Sequence, residues 1–421
     1  MSGSMSVVLL ACSMPVLMGV TCPPIATEAL SVSAESLPRP VQANTLPLLG
    51  DQQVHLYAQE AYEGFPPEVQ TAVADRHAEL VAAGMDCARH LLDWSQLEPT
   101  QGNYNLEDLI EALDGRLASG IEHQFCNITV IDSFGTEALP PYIVALLEAG
   151  VAWDDPRITG PFVALLDQVV PIMLERGTYM IGFGNELSGY YENEPAAAAS
   201  VAGFVQAAIA RTRAIEPRLA CTIVFAGPED LAIGPLLPLI DVATFNYYFY
   251  ELVEDGCTLE GFPLMRWHAT GPGQVGAQLD ALIAAADDKL ICIQEIGQAT
   301  GWDDRPETLG PRAGLSNQQA VLAALARELD RRRDRFRTVS LWTLNDHTRE
   351  GIGYVGDALE AAGLPGCYAD NIEEIFGPTG VVYSDTQATP KPAFEVFKAA
   401  ITCLKSAGLP CPAPVEVRLP N

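Results

Sequence analysis

Lysine is nearly missing from this chain: Lys289, Lys391, Lys398 and Lys405 are the only four in 421 residues. Acidic side chains number 54 against 24 basic ones, for a formal net charge of −30 at pH 7. Nucleic acid is excluded as a partner on this ground, because neutralising phosphates takes a basic face, and an anionic lipid surface is disfavoured for the same reason. Such a surplus of one sign keeps a surface solvated and soluble. Cys-x-x-Cys pairs and histidine-rich tracts are lacking too, so neither a metal centre nor another cofactor is expected. No internal repeat is seen, and no low-complexity tract beyond the N-terminal tether.

The apolar stretch at 7–20 has the length of a signal-peptide h-region but is too short to span a bilayer comfortably, and it lacks the usual preceding Lys or Arg. Leu9-Leu-Ala-Cys12 and Gly19-Val-Thr-Cys22 each resemble an imperfect lipobox, which offers Cys12 or Cys22 as a lipid anchor. The expected organisation is a signal or lipoprotein segment over 1–22, a Pro-, Ser- and Ala-rich linker over 23–48, a folded domain over 49–405 and a tail over 406–421, in an exported protein. Cys87, Cys126, Cys221 and Cys292 sit in apolar strand-like runs and read as small core residues. Cys257, Cys367, Cys403 and Cys411 fall in loops or the tail, where an exported protein can form disulfides; sequence does not pair them.

From residue 52 onward strand-like and helix-like segments alternate. Strands are expected near 53–58, 86–93, 122–131, 179–185, 219–225, 241–248, 290–295 and 338–343. Helices are expected near 66–84, 105–119, 159–177, 195–215, 229–238, 274–287, 317–335 and 391–405. Eight such units without a break in composition predict a single (β/α)8 TIM barrel, with an open doubly wound sheet as the alternative. Residues 132–158 and 344–389 are long connections that would shape the C-terminal mouth.

Two of the apolar runs end in chemistry. Tyr179-Met-Ile-Gly-Phe-Gly-Asn-Glu-Leu-Ser188 turns polar at Asn185-Glu186, and Lys289-Leu-Ile-Cys-Ile-Gln-Glu295 closes on a carboxylate. The glutamates lie 109 positions apart, the length of three βα units, which puts Glu186 at the fourth strand and Glu295 at the seventh. Those strands face each other across the mouth. Two carboxyl groups in one cleft are what glycosidic hydrolysis uses, one protonated for the leaving group and one ionised toward the sugar cation.

On these residues the chain resembles a retaining glycoside hydrolase of clan A, a superfamily of TIM-barrel enzymes. The specific parts are Gly184-Asn185-Glu186 and Gln294-Glu295-Ile-Gly297. By that resemblance Glu186 is the acid/base, Glu295 the nucleophile and Asn185 a contact to the sugar 2-hydroxyl. Ala88-Arg89-His-Leu-Leu-Asp-Trp94 is similar to the second-strand signature, in which an Arg supports the nucleophile carboxylate. Phe245-Asn246-Tyr247-Tyr248 resembles the end of the sixth strand, where a Tyr bonds the nucleophile. Alternation puts Asn246 on the same side as Tyr248; Tyr247 and Tyr250 are expected to pack outward. Ser340-Leu-Trp342 resembles the strand whose tryptophan forms the floor under a sugar.

One departure concerns the third strand, where many clan members carry a histidine; here Asn127 and Asp132 are the available substitutes. His90, His123 and His347 read as rim or surface residues, and Trp94 as packing. The resemblance implies a hydrolase cleaving β-glycosidic bonds of an oligo- or polysaccharide with retention. Transglycosylation, or glycan binding without catalysis, are the alternatives. Tyr190, Tyr191, Trp267, Trp302 and Tyr354 are loop aromatics that serve either sugar subsites or packing.

Overall fold

The computed structural model describes residues 54–415 apart from 62–64, 133–134, 137, 188–189, 192–193, 229, 231–235, 260–261, 303–308, 311, 362 and 407–408. The expected segments over 1–22 and 23–48 lie outside the described residues. In chain order the strands are β1 (His55–Gln59), β2 (Cys87–Asp93), β3 (His123–Asp132), β4 (Thr178–Asn185), β5 (Ala220–Phe225), β6 (Val242–Tyr248), β7 (Tyr250–Leu259), β8 (Phe262–Ala269), β9 (Leu290–Gly297) and β10 (Phe336–Trp342). All but β7 and β8 are the eight anticipated runs. They pair in parallel in the order β1-β10-β9-β6-β5-β4-β3-β2, and the two ends, β1 and β2, lie against each other. Each barrel strand thus neighbours its successor in the barrel, with no reversal of order of the kind that marks a doubly wound sheet. The result is a nearly closed (β/α)8 barrel.

The helices are α1 (Pro67–Ala82), α2 (Trp94–Leu97), α3 (Glu107–Ala118), α4 (Pro141–Glu148), α5 (Pro156–Glu175), α6 (Ala198–Ile215), α7 (Val275–Ala285), α8 (Leu315–Arg331), α9 (Arg349–Ala361), α10 (Gly366–Phe376) and α11 (Pro392–Lys405). Helix α5 shows why they form. Asp155 caps it by accepting from the Arg157 amide at 2.9 Å, and proline takes the first position, where no intrahelical N–H is needed. Ile158, Phe162, Leu165, Leu166, Val169 and Met173 recur at helical spacing and are all buried, each side chain stabilising the fold by about 1.5–3 kcal/mol. By length and composition α5 could cross a bilayer, but it packs on β4 and α6.

Two expectations are corrected, one falls mainly outside the described residues and one element is new. The helix foreseen over 229–238 lies mostly outside the described residues; of those described, 237 and 238 lie in a turn. The antiparallel hairpin β7–β8 was not foreseen. His90 is buried rather than on the rim, its Nε2 bonded to Gln124 Oε1 at 2.6 Å. Tyr250 turns inward, where its hydroxyl accepts from the Ala299 amide at 2.8 Å.

The hairpin joins α9 and α10 in a second, smaller apolar cluster that includes Tyr250, Leu264, Leu359, Tyr368, Ile372 and Ile375. A disulfide, Cys257–Cys367, ties the hairpin to α10; a second, Cys403–Cys411, pins the tail to α11. The other four described cysteines are free and buried, as expected.

Candidate active site

Glu186 and Glu295 reach the C-terminal mouth through local departures from regular strand. In β9, Ile293 pairs with Phe245 but Glu295 pairs with the next residue of β6, Asn246. On the other side Val339 pairs with Ile293 and Leu341 with Ile296. Strand β9 therefore carries one extra residue at Gln294–Glu295, a bulge of the kind that re-aims side chains beside active sites. Strand β4 is irregular at the same height, gaining one residue on β5 between Gly182 and Asn185. Gly184 there has φ +106°, a conformation that favours glycine, and a Cβ would meet Leu187 Cδ1 at 2.6 Å. Glu186 itself has φ 49°, a left-handed conformation uncommon for a residue with a side chain, and its amide donates to Val224 O at 2.9 Å. Strain of this kind concentrates at functional sites.

Glu295 is 7% exposed and is held at both oxygens. Arg89 Nη1 donates to Oε1, and the Tyr248 hydroxyl donates to Oε2 at 2.5 Å. Burial, then the neighbouring Glu295 charge, push the Tyr248 phenol well above its ordinary value, so it stays a donor across the working range. Arg89 comes from β2, Tyr248 from β6 and Glu295 from β9, so three strands fix one carboxylate. The Arg89 guanidinium also lies over the Trp342 ring, 5.3 Å from its centroid, which places that tryptophan at the end of β10 against the same group. His347 is half-buried and packs on the other partner of this stack, 5.6 Å from the Trp342 ring.

Glu186 is partly exposed, and its Oε1 accepts from Asn246 Nδ2 at 2.8 Å. Asn246 Nδ2 also lies 3.2 Å from Asn185 Oδ1. Asn185 Nδ2 donates to Asp132 Oδ1 at 2.8 Å. The structure thus brings together all seven residues singled out in the sequence: Arg89, Asn185, Glu186, Asn246, Tyr248, Glu295 and Trp342. It adds Gln294, whose Nε2 donates to Asn185 Oδ1 at 2.9 Å and to Asn246 Oδ1 at 3.2 Å. Of the two third-strand candidates, Asp132 reaches Asn185, and Asn127 is wholly buried, donating to Gly184 O at 3.2 Å.

The remaining aromatics sort by burial. Trp94 is fully buried against Phe162, as expected for packing. Tyr191 is buried, Trp153 donates to the Tyr190 hydroxyl at 3.0 Å, and Trp267 joins the second cluster. Trp302 is half-buried, with the Arg349 guanidinium 4.5 Å from its ring centroid. The side chain of Tyr354 lies outside the described residues.

At the opposite face of the barrel, His55, Asp86 and His123 offer ligand atoms within 4.8 Å of one another. The Lys405 ammonium is bonded to Asp86 Oδ2 and lies 2.9 Å from His55 Nδ1, so a cation of the chain's own already serves this cluster.

No protein-family model matches the sequence, and no curated protein is similar to it. Solved structures are similar in fold. A variant of GH5_18 from Streptomyces cattleya, in complex with Manβ1-4GlcNAc, superposes with a TM-score of 0.55 at 13% identity, covering 86% of this chain and 83% of that one. An exo-β-1,4-mannosidase from Opitutaceae bacterium strain TAV5 gives 0.53 at 16% identity, covering 83% of this chain and 59% of that one. A family 39 glycoside hydrolase from the gut symbiont Bacteroides cellulosilyticus WH2 gives 0.51 at 16% identity, covering 88% and 66%. This chain therefore spans less than two thirds of the latter two. The resemblance to clan A glycoside hydrolases read in the sequence extends to the barrel fold.

Proposed function

We propose that the protein is a retaining glycoside hydrolase acting on β-glycosidic bonds of an oligo- or polysaccharide. The observation that carries this reading is a carboxylate, Glu295, gripped at both oxygens by donors from two other strands, with the charge of a second carboxyl, Glu186, acting on one of those donors, the Tyr248 hydroxyl. Glu295 attacks the anomeric carbon as Glu186 protonates the departing oxygen; Glu186 then takes a proton from the water that frees the sugar from Glu295. Arg89 and Tyr248 hold the attacking group in orientation toward the sugar. Asn185 spends one N–H on Asp132, and its other is directed at the sugar 2-hydroxyl. Trp342 offers an apolar face to the ring.

Glu295→Gln and Glu186→Gln are each expected to lower activity on aryl β-glycosides by orders of magnitude without unfolding the chain. Azide should partly restore only the Glu186 variant, on substrates with a good leaving group. Near-native turnover in both variants ends this reading.

Export belongs to the same proposal. It is supported by the two disulfides, which persist in oxidising compartments, and by the apolar stretch at 7–20. A lipid anchor on Cys12 or Cys22 would keep the exported enzyme at a membrane.

A further inference from the structure

Between the strands that carry the two glutamates lies a run of four side-chain amides: Asn127, Asn185, Asn246 and Gln294, none more than 6% exposed. An amide has a donor end and an acceptor end, so a run of them has a polarity. Here the polarity is set from outside. Asp132, while ionised, only accepts; it therefore faces the NH2 of Asn185, at 2.8 Å, and turns the Asn185 oxygen the other way. That oxygen meets the NH2 groups of both Gln294 and Asn246, at 2.9 and 3.2 Å. Gln294 spends its second N–H on Asn246 Oδ1, at 3.2 Å, which leaves Asn246 only its NH2 to present to Glu186, at 2.8 Å. At the far end Asn127 gives one N–H to the Gly184 carbonyl at 3.2 Å and approaches Gln294 Oε1 at 3.5 Å. Every contact pairs a donor with an acceptor, and three acceptors, Asp132, Gly184 O and Glu186, agree on one direction.

Gln294 enters this run only because of the bulge in β9. In a regular strand it would face away from the side that Glu295 takes. With the extra residue, both point to the mouth side, and the glutamine reaches the asparagines at the ends of β4 and β6.

We propose that Gln294 is a positioning residue for Glu186. Its amide, oriented through Asn185 by the Asp132 carboxylate, holds Asn246 with its N–H toward Glu186 Oε1, so the transferable proton resides on Oε2. In the first step that proton passes from Oε2 to the departing oxygen; in the second, a water proton returns to Oε2. Asn246 keeps its own proton throughout. The inference rests on the glycosidase reading above and adds to it which oxygen does the work and what selects it.

The test separates acid assistance from general damage. Phenyl β-glycosides need a proton on the leaving group, whereas 2,4-dinitrophenyl β-glycosides need almost none. Mannoside, glucoside, galactoside and xyloside pairs of these two aglycones are assayed with the full chain. Gln294→Met is expected to lower kcat/KM on the phenyl substrate about tenfold or more and on the dinitrophenyl substrate less than about twofold. The high-pH limb of the phenyl profile should move upward, because an ionised Glu186 loses the donor that Gln294 was aiming at it. Asp132→Asn approaches the run from its other end, and the same split is expected; it carries the test if the Gln294 variant fails to fold. Equal losses on both aglycones, or wild-type kinetics on both, overturn the positioning role. Should Glu186→Gln and Glu295→Gln also keep wild-type rates, it is the glycosidase reading that has failed; if they lose activity, the failure is confined to the amide run.

Discussion

A carboxylate that must attack carbon has to be held still by groups that let go of its charge at the right moment. Arg89 and Tyr248 divide this task at Glu295, one a fixed cation and one a neutral hydroxyl whose proton burial has made hard to remove. Tyr248→Phe deletes one grip and leaves the ring to pack against Phe376 and Tyr250. A hydrogen bond to a charged group is worth about 1.5–3 kcal/mol, so kcat/KM is expected to fall by roughly ten- to a hundredfold while thermal unfolding stays near wild type. Steady-state kinetics alongside a melting curve checks both. Asn246 and Tyr248 could be read from the sequence because strand alternation places them on one side, Glu295 because it closes an apolar run, and Arg89 because its strand resembles the clan A second-strand signature. Gln294 could not: a bulge breaks alternation at that residue, and the extra residue shows only in the register of the neighbouring strands.

Between residue and fold stands the hairpin β7–β8, which with α9 and α10 builds a second apolar cluster beside the mouth. Its sequence hid it. The hairpin interrupts a parallel pattern with residues such as Glu251, Glu254, Asp255 and Gly256, which show little of the apolar alternation by which strands are recognised. Helices α9 and α10 escaped for a related reason: they bury chiefly against each other and the hairpin, so they do not fall on the βα rhythm. The disulfide Cys257–Cys367 closes a loop of 110 residues, and removing such a link costs about 2–5 kcal/mol. Replacing both cysteines by serine is expected to lower the unfolding midpoint by that equivalent. It should also reduce kcat more than it raises KM, because Phe376, at the end of α10, packs edge-on against Tyr248. Denaturation and kinetics with and without reductant measure the two effects.

For the molecule as a whole, acid is the stress that buried histidine makes visible. Burial pulls the His90 imidazole down from its ordinary 6.5 to about 4, with the Gln124 bond acting weakly the other way. A depressed folded value means that the unfolded chain takes up the proton first. The stabilisation is complete above pH 6.5 and is lost as pH falls through 4, up to about 3 kcal/mol in all. His77 and His123 are lowered by burial as well and steepen the same decline. The unfolding midpoint is therefore expected to drop between pH 6.5 and 4, and His90→Gln to flatten that slope, as urea titrations across the window would record. The barrel itself was legible from eight apolar runs at regular spacing, since each strand covered on both faces must be apolar along its length. Its closure has a temporal side. The first strand of the wall lies beside the last, β10, with nearly the whole domain threaded between them. During synthesis a nascent chain owns both glutamates long before it owns the tryptophan strand that completes the ring around them. Any message cut short in that interval yields a polypeptide with the reagents and no vessel.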